Sequence, residues 1–373
     1  MTRLLFVVSE DWFFVSHRLH LAQAAIQEGF QVAVLTRISN QLARIEQAGV
    51  TVFDWRLERG SRNPLSELSA LFGLLRAMRA FRPDVIHAVA MQPVLYATAG
   101  GWLTGVNRRV LALSGLGFVF SSSRLRARLL RRPLSAALRL ALNGKHTRVI
   151  LQNPDDCRTL IDAGVARPES VRLVRGSGVD TSVFVPAIKR RATPLIILPA
   201  RLLWDKGVGE FVTCARAIKA AGVQARFALV GDPDPHNPES VPLAQLHQWV
   251  AEGAVEWWGR RADMPAVLAQ ADLVCLPSYR EGLPLALLEA ASCGLPIVTF
   301  DVPGCREAVE HGKNGFLVPF GDQGMLNDAV ARLLADEALR RQFGAAGREK
   351  AEREFTRERI AKETLAVWNE ALA

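Results

Sequence analysis

The chain has 373 residues, 49% of them hydrophobic and 22% charged, and its formal net charge is +9. This is the ordinary make-up of a soluble globular protein with room for two domains, each able to bury its own core. There is no low-complexity segment, and the five cysteines (Cys157, Cys214, Cys275, Cys293 and Cys305) include no Cys-x-x-Cys pair. Most of them sit in apolar runs, as buried reduced thiols of a cytoplasmic protein do.

Leu4-Leu5-Phe6-Val7-Val8 reads as a buried strand, and five apolar residues before Ser9-Glu10-Asp11 are too few for a signal peptide. A polar loop is expected next, then a helix from about Ser16 to Glu28 with Gly29 as its cap, and a strand from Gln31 to Thr36. From Val85 to Asn107 there is no Asp, Glu, Lys or Arg, nearly the length of a membrane-spanning helix. His87, Gln92, Pro93, Thr98, Gly100 and Gly101 dilute that stretch, so a buried strand followed by a Gly-rich helix explains it better.

The positive charge is local. Between Asp84 and Asp155 there are ten Lys or Arg and no acidic residue, so this segment carries +10 and the rest of the chain −1. Arg124, Arg128 and Arg131 recur at helical spacing, Leu125 and Leu129 form an adjacent stripe, and Arg126 and Arg132 add to the charge. Pro133 is read as the start of a second helix running to about Leu142, ended by Asn143-Gly144. A basic amphipathic surface of this kind suits an anionic membrane, the alternative being an ordinary solvated helix face. Nucleic acid fits poorly as a partner, because Arg124 to Arg148 contains no Phe, Tyr or Trp for base stacking.

Arg175 to Pro186 reads as a linker, after which the opening plan repeats. Leu195 to Leu198 is a strand, a helix runs to about Ala221, Gly222 caps it, and Arg226 to Val230 is the next strand. Each such start is a βαβ unit of an open parallel sheet, whose ligands bind at the carboxyl ends of the strands. The candidate chemistry lies at those ends. Arg201 and Lys206 follow the first strand, with Gly207 opening a helix, and a guanidinium fork beside an ammonium suits a diphosphate. A solvated loop is the plain alternative. Gly231-Asp232 ends the next strand, and Trp258-Gly259-Arg260-Arg261 offers backbone that could meet a base. Leu273 to Pro277 is a buried strand that leads into Glu281-Gly282-Leu283-Pro284 and a helix carrying Glu289. Two carboxylates in so apolar a stretch need hydroxyl or cationic partners. The final helix spans about Arg357 to Leu372 and is amphipathic.

The arrangement Arg201-x4-Lys206, the Gly231-Asp232 turn, the Glu-x7-Glu pair Glu281/Glu289 and the Gly-Val-Asp-x3-Phe-x-Pro linker from Gly178 to Pro186 resemble the retaining glycosyltransferases of the large GT-B family 4, of the bacterial surface-polysaccharide type. The likeness covers nearly the whole chain and is most specific from Gly178 onward. It implies an α/β architecture of two doubly wound, Rossmann-like parallel-sheet domains facing across a cleft. Residues 1–177 would form the acceptor side, 178–356 the nucleotide-sugar side, and 357–373 a helix crossing back to the first domain. Arg201 and Lys206 would neutralise the departing nucleoside diphosphate, Glu289 would hold the ribose and Glu281 the transferred sugar. Gly282, Leu283 and Pro284 would contact sugar and phosphate, with Gly231, Asp232 and Arg261 also on the donor. The acceptor would be a saccharide, lipid-linked or at a membrane surface, and the enzyme would sit on the inner face of the cytoplasmic membrane. No cofactor or metal is implied.

Three features depart from that pattern or compete with it. Ser9 to Arg18 replaces the common Gly-Gly turn, and Val85-Ile86-His87-Ala88-Val89 keeps only the first histidine of a His-x-His. His17 and His87 are both read at strand-end loops, where either meets acceptor or donor phosphate or simply serves as a structural hydrogen-bonder. Asp232-Pro233-Asp234 has the spacing of a divalent-metal pair used by a different class of glycosyltransferases. An epimerase or hydrolase on the same two-domain frame is the alternative activity.

Overall fold

The computed structural model describes residues 1–57, 63–115, 125–187, 193–235 and 237–373. The chain divides into two compact units: Met1–Ser177 with Arg357–Ala373, and Gly178–Thr356. Unit 1 holds strands β1 (Arg3–Glu10), β2 (Gln31–Arg37), β3 (Thr51–Asp54), β4 (Val85–Val89), β5 (Arg109–Leu113), β6 (Thr147–Leu151) and β7 (Val171–Leu173). They pair in the order β3-β2-β1-β4-β5-β6-β7, each pair parallel. Its helices are α1 (Asp11–His17), α2 (Leu19–Gln27), α3 (Leu42–Gln47), α4 (Pro64–Phe81), α5 (Met91–Thr104), α6 (Leu125–Leu142) and α7 (Pro154–Asp162). Unit 2 holds β8 (Leu195–Pro199), β9 (Arg226–Val230), β10 (Glu256–Trp257), β11 (Leu273–Leu276), β12 (Ile297–Phe300) and β13 (Gly315–Val318) in the parallel order β10-β9-β8-β11-β12-β13. Its helices include α8 (Val208–Ala220), α9 (Leu243–Ala251), α10 (Met264–Leu268), α11 (Leu285–Ser292), α12 (Cys305–Ala308), α13 (Gln323–Ala335) and α14 (Glu337–Glu354).

Strand periodicity sorts the core of unit 1. Leu5 and Val7 of β1 face one cluster, packed under α4 to α7, while Leu4, Phe6 and Val8 face the other, under α1 to α3. The last helix, α15 (Arg357–Leu372), completes that second face with Ile360, Ala361, Val367, Trp368 and Ala371. The uncharged stretch from Val85 becomes β4 and the 14-residue α5, and no helix among the described residues is long and apolar enough to cross a membrane.

His87 corrects one expectation. It lies inside β4, not in a loop, and is only 1% exposed. Its Nδ1 accepts the indole N–H of Trp368 at 2.8 Å, its ring stacks on Phe6, and Trp368 meets Phe6 edge-on. Burial, and then the nearby positive charge of Arg18, hold the imidazole neutral, well below the usual histidine pKa. In this setting it is the socket on which α15 docks. Arg148 and Arg172 of the neighbouring strands grip Glu370 of the same helix at 3.2 and 2.7 Å.

Two further expectations change. The residues after β1 are not a polar loop but helix α1, because Phe14 and Val15 enter the core and Asp11 is buried where its carboxylate accepts the N–H groups of Trp12, Ser39, Asn40 and Gln41. The helix expected from Ser16 is thereby broken at Arg18, whose backbone is non-helical. Pro133 does not start a helix; it lies inside α6, which the buried Leu138, Ala141 and Leu142 fasten to the core. The proline removes one internal hydrogen bond and the packing beyond it compensates. Of the basic segment, Arg124 lies outside the described residues, the side chains of Arg126, Arg128 and Arg131 do too, and Arg132 is exposed.

Replacing Trp368 by Phe keeps the ring packing but removes the indole N–H that donates to His87 Nδ1. Leaving that buried acceptor unsatisfied is expected to lower unfolding stability by about 1–3 kcal/mol, read as a fall in the urea midpoint at unchanged slope.

Candidate active site

In unit 2 the wholly parallel sheet sends every strand's exit loop to one edge, and the loops after β8, β9, β11 and β12 are fastened to one another there. Glycines make this possible. Gly207 has φ +73° and lies so near Pro277 that a Cβ would come within 2.1 Å of its carbonyl oxygen. Gly304, at φ +80°, presses on the carbonyls of Glu281 and Gly282 at 2.6 and 2.5 Å from the same construction. No residue with a side chain fits either place. The amide of Tyr279 donates to the carbonyl of Asp205 at 2.9 Å, and that of Leu202 to Asp232 at 2.9 Å.

This bracing brings Lys206 and Glu281 together across 75 residues of sequence. Lys206 Nζ lies 2.6 Å from Glu281 Oε1, with the two side chains 17% and 13% exposed, and Ser278 Oγ donates to the same oxygen at 2.9 Å. Glu281 thus has the cationic and hydroxyl partners that its apolar surroundings require. Gly282, Leu283 and Pro284 are buried beside it. Pro284 is the N-cap of α11 and offers no side-chain cap, and Glu289 is half-buried in that helix. Arg201 lies at the mouth of the same loop, where its Nη1 meets Asp234 Oδ2 at 2.8 Å.

Asp205, between the two cations, has an Oδ1 that is buried without a partner. Burial and then Glu281 raise its pKa against the opposing pull of Lys206 and Arg201. The Asp232-Pro233-Asp234 pair is engaged within the protein: Asp232 Oδ1 accepts the Arg260 amide at 3.0 Å, and Asp234 holds Arg201. Arg261 sits after β10 on the same edge, exposed, in a two-pronged pair with Asp263 at 2.9 and 2.8 Å. The pairing of Asp234 with Arg201, the part of Ser278 and the bracing of Tyr279 went unread in the sequence. Only the proximity of Ser278 to Glu281 along the chain gave any signal.

His17 and His87 belong to unit 1, and neither is grouped with Lys206 in unit 2. His17 ends α1, stacked on Phe13, with Nδ1 2.6 Å from Ser16 Oγ. Burial, then the charge of Arg18, pushes its pKa down to about 3. Neighbouring His20 is likewise lowered to about 3 by burial and then by Arg357 and Arg18.

With three histidines lowered in the fold, their contribution to stability is full above the unfolded value near 6.5 and is lost as pH falls towards their folded values. Global unfolding at pH 5.5 is therefore expected to take up nearly three protons at these sites. That corresponds to about 4 kcal/mol lost per pH unit, and the pH dependence of urea-derived stability between pH 5 and 6 measures it. A flat profile there contradicts the burial of these rings.

Comparison with known proteins follows this geometry. Residues 193–336 match the family model described as glycosyl transferases group 1, and residues 3–153 match that of the glycosyl transferase 4-like domain. Over 87% of both chains, this one is 26% identical to the N,N'-diacetylbacillosaminyl-diphospho-undecaprenol alpha-1,3-N-acetylgalactosaminyltransferase of Campylobacter jejuni. It is 32% identical to the D-inositol 3-phosphate glycosyltransferase of Salinispora tropica over 61% of this chain and about half (51%) of that one. Among solved structures, Anabaena HepE in complex with UDP and glucose superposes with a TM-score of 0.80 at 19% identity, covering 99% of this chain and 100% of that one. The two matched regions span both units and most of the chain, and this protein belongs to the group 1, family-4-like glycosyltransferases of the GT-B fold.

Proposed function

We propose that the protein is a retaining, metal-independent glycosyltransferase. It moves a hexose or N-acetylhexosamine from a nucleoside-diphosphate sugar to a saccharide acceptor that is lipid-linked or lies at a membrane surface, in bacterial glycan biosynthesis. Unit 2 takes the donor and unit 1 the acceptor. The observation that carries this reading is the Lys206–Glu281 pair set in the strand-exit loops of unit 2, beside Arg201 and the start of α11. The UDP complexes of the Anabaena structure and the diphospho-undecaprenol acceptor named for the Campylobacter relative support the donor and acceptor classes.

Breaking the sugar–phosphate bond builds negative charge on the leaving diphosphate and positive charge on the sugar. Lys206 and Arg201 answer the first, and cations already held in place do so without reorganisation. Glu281 takes the sugar side and fixes Lys206 until the diphosphate arrives. The acceptor hydroxyl then attacks from the face that the leaving group vacates, which retains configuration. Arg201 and the Arg260 amide already occupy Asp234 and Asp232, and this favours charge neutralisation by side chains over a metal.

The membrane part of the reading rests on unit 1. Leu65, Leu68 and Phe72 recur at helical spacing on α4 and are 73%, 50% and 67% exposed. Trp102 and Leu103 of α5 are exposed as well, and the basic α6 lies in the same helical layer. Exposed apolar side chains in a unit whose sequence between Asp84 and Asp155 carries ten cations and no acid fit an anionic bilayer, towards which each cation near the headgroups contributes about 1 kcal/mol.

Lys206→Ala is expected to lower transfer from the nucleotide sugar by about 10²–10³-fold, with wild-type turnover unaffected by EDTA in the same assay. Near-normal transfer by the variant contradicts the assigned role. The protein is also expected to sediment with phosphatidylglycerol vesicles at low salt, and Phe72→Glu to weaken that binding while transfer to a soluble acceptor persists.

A further inference from the structure

A buried charge is normally paired, and Arg18 of unit 1 is not. Arg18, at the break between α1 and α2, is 3% exposed. Its Nη1 donates to two neutral acceptors, the His17 carbonyl and Ser177 Oγ, each at 2.9 Å, and its Nε is buried without a partner. No carboxylate among the described residues pairs with it. The buried Asp11 is committed to Ser39, Asn40 and Gln41. His20 adds a second orphan, an Nε2 buried with no partner. The neighbouring charges that act on His17 and His20 are all positive, those of Arg18 and Arg357 foremost. Burial lowers the Arg18 pKa to about 10, which still leaves the guanidinium charged at neutral pH.

We propose that Arg18, with His17, His20 and Ser177, forms an anion site in unit 1 that takes a phosphate or diphosphate group and is built from residues other than those of the Lys206 site in unit 2. The group offers donors from two chain segments, residues 17–20 and Ser177, and a tetrahedral oxyanion with oxygens in several directions can accept from both at once. A planar carboxylate satisfies only one edge of the guanidinium. Burial and the neighbouring arginines keep His17 and His20 neutral, and an anion brought beside them favours their protonated forms, so the charge of the site can rise to meet a doubly charged phosphate. The site lies in the unit read above as the acceptor side, and it rests on that reading only for the source of the anion: the diphosphate of a lipid-linked acceptor or a free phosphate.

Calorimetric titration of the full-length Lys206→Ala protein with inorganic pyrophosphate tests this with the donor site disabled. One equivalent is expected to bind, with affinity falling at least tenfold when Arg18→Gln is added. His20→Gln, at a position less buried than Arg18, is expected to weaken binding several-fold, with circular dichroism checking the fold of each variant. A short-chain prenyl diphosphate that displaces pyrophosphate assigns the site to a lipid-linked group, and displacement by orthophosphate alone assigns it to a free one. Absence of pyrophosphate binding to Lys206→Ala, or binding indifferent to both Arg18→Gln and His20→Gln, overturns the proposal. Pyrophosphate binding to Lys206→Ala, found together with a wild-type protein that transfers sugar from no nucleotide sugar, leaves this site standing and removes the transferase reading instead.

Discussion

The ion pair between Lys206 and Glu281 is the constraint around which unit 2 is organised. Each partner alone would be a poorly solvated charge in an apolar setting, and removing one strands the other. Their meeting requires the loops after β8 and β11 to approach at backbone distance, which in turn requires Gly207 under Pro277 and Gly304 against Glu281. Gly231 plays the same part between β9 and the loop after β8, at φ +154° beside the Ala200 carbonyl. The site is thus made by close backbone approach, and its side chains arrive already aimed. Such preorganisation is what electrostatic catalysis needs, since the protein does not have to rearrange as charge develops.

The two units solve the problem of buried polar groups differently. Unit 2 pairs its charges in the strand-exit loops: Lys206 with Glu281, Arg201 with Asp234, Arg261 with Asp263. In unit 1, Asp11 is satisfied by backbone amides and His87 by an indole, while Arg18 has only neutral acceptors. A site rich in paired charges suits a ligand that exchanges partners with the protein. One with unspent donors suits a ligand that brings the missing charge.

The strands of unit 2 were legible in the sequence because they are buried on both faces and read as unbroken apolar runs. Leu195 to Leu198 and Arg226 to Val230 match β8 and β9 to within a residue. The candidate site was legible for a related reason: Glu281 and Lys206 are charges where apolar residues prevail. What could not be read depends on contacts distant along the chain. His87 looks like a loop residue because its partner, Trp368, is 281 positions away, and the partner of Arg18 is 159 positions away at Ser177. The helix at Asp11 was hidden because the carboxylate that opens it answers amides around Ser39, 28 positions away, rather than water. Pro133 misled because the local cost of a proline is smaller than the packing that carries α6 past it.

The division of the chain has a bearing on its biogenesis. Unit 1 is discontinuous, since α15 returns to it only after all of Gly178–Thr356 has been made. During synthesis the face of the first sheet that carries Phe6 and His87 therefore has α1 to α3 but lacks the cover of α15, and it stays so while the whole of the contiguous unit 2 is translated and can fold. Until the segment bearing Trp368 appears, that half-built sheet presents an apolar face and a neutral imidazole acceptor to the crowded interior of the cell.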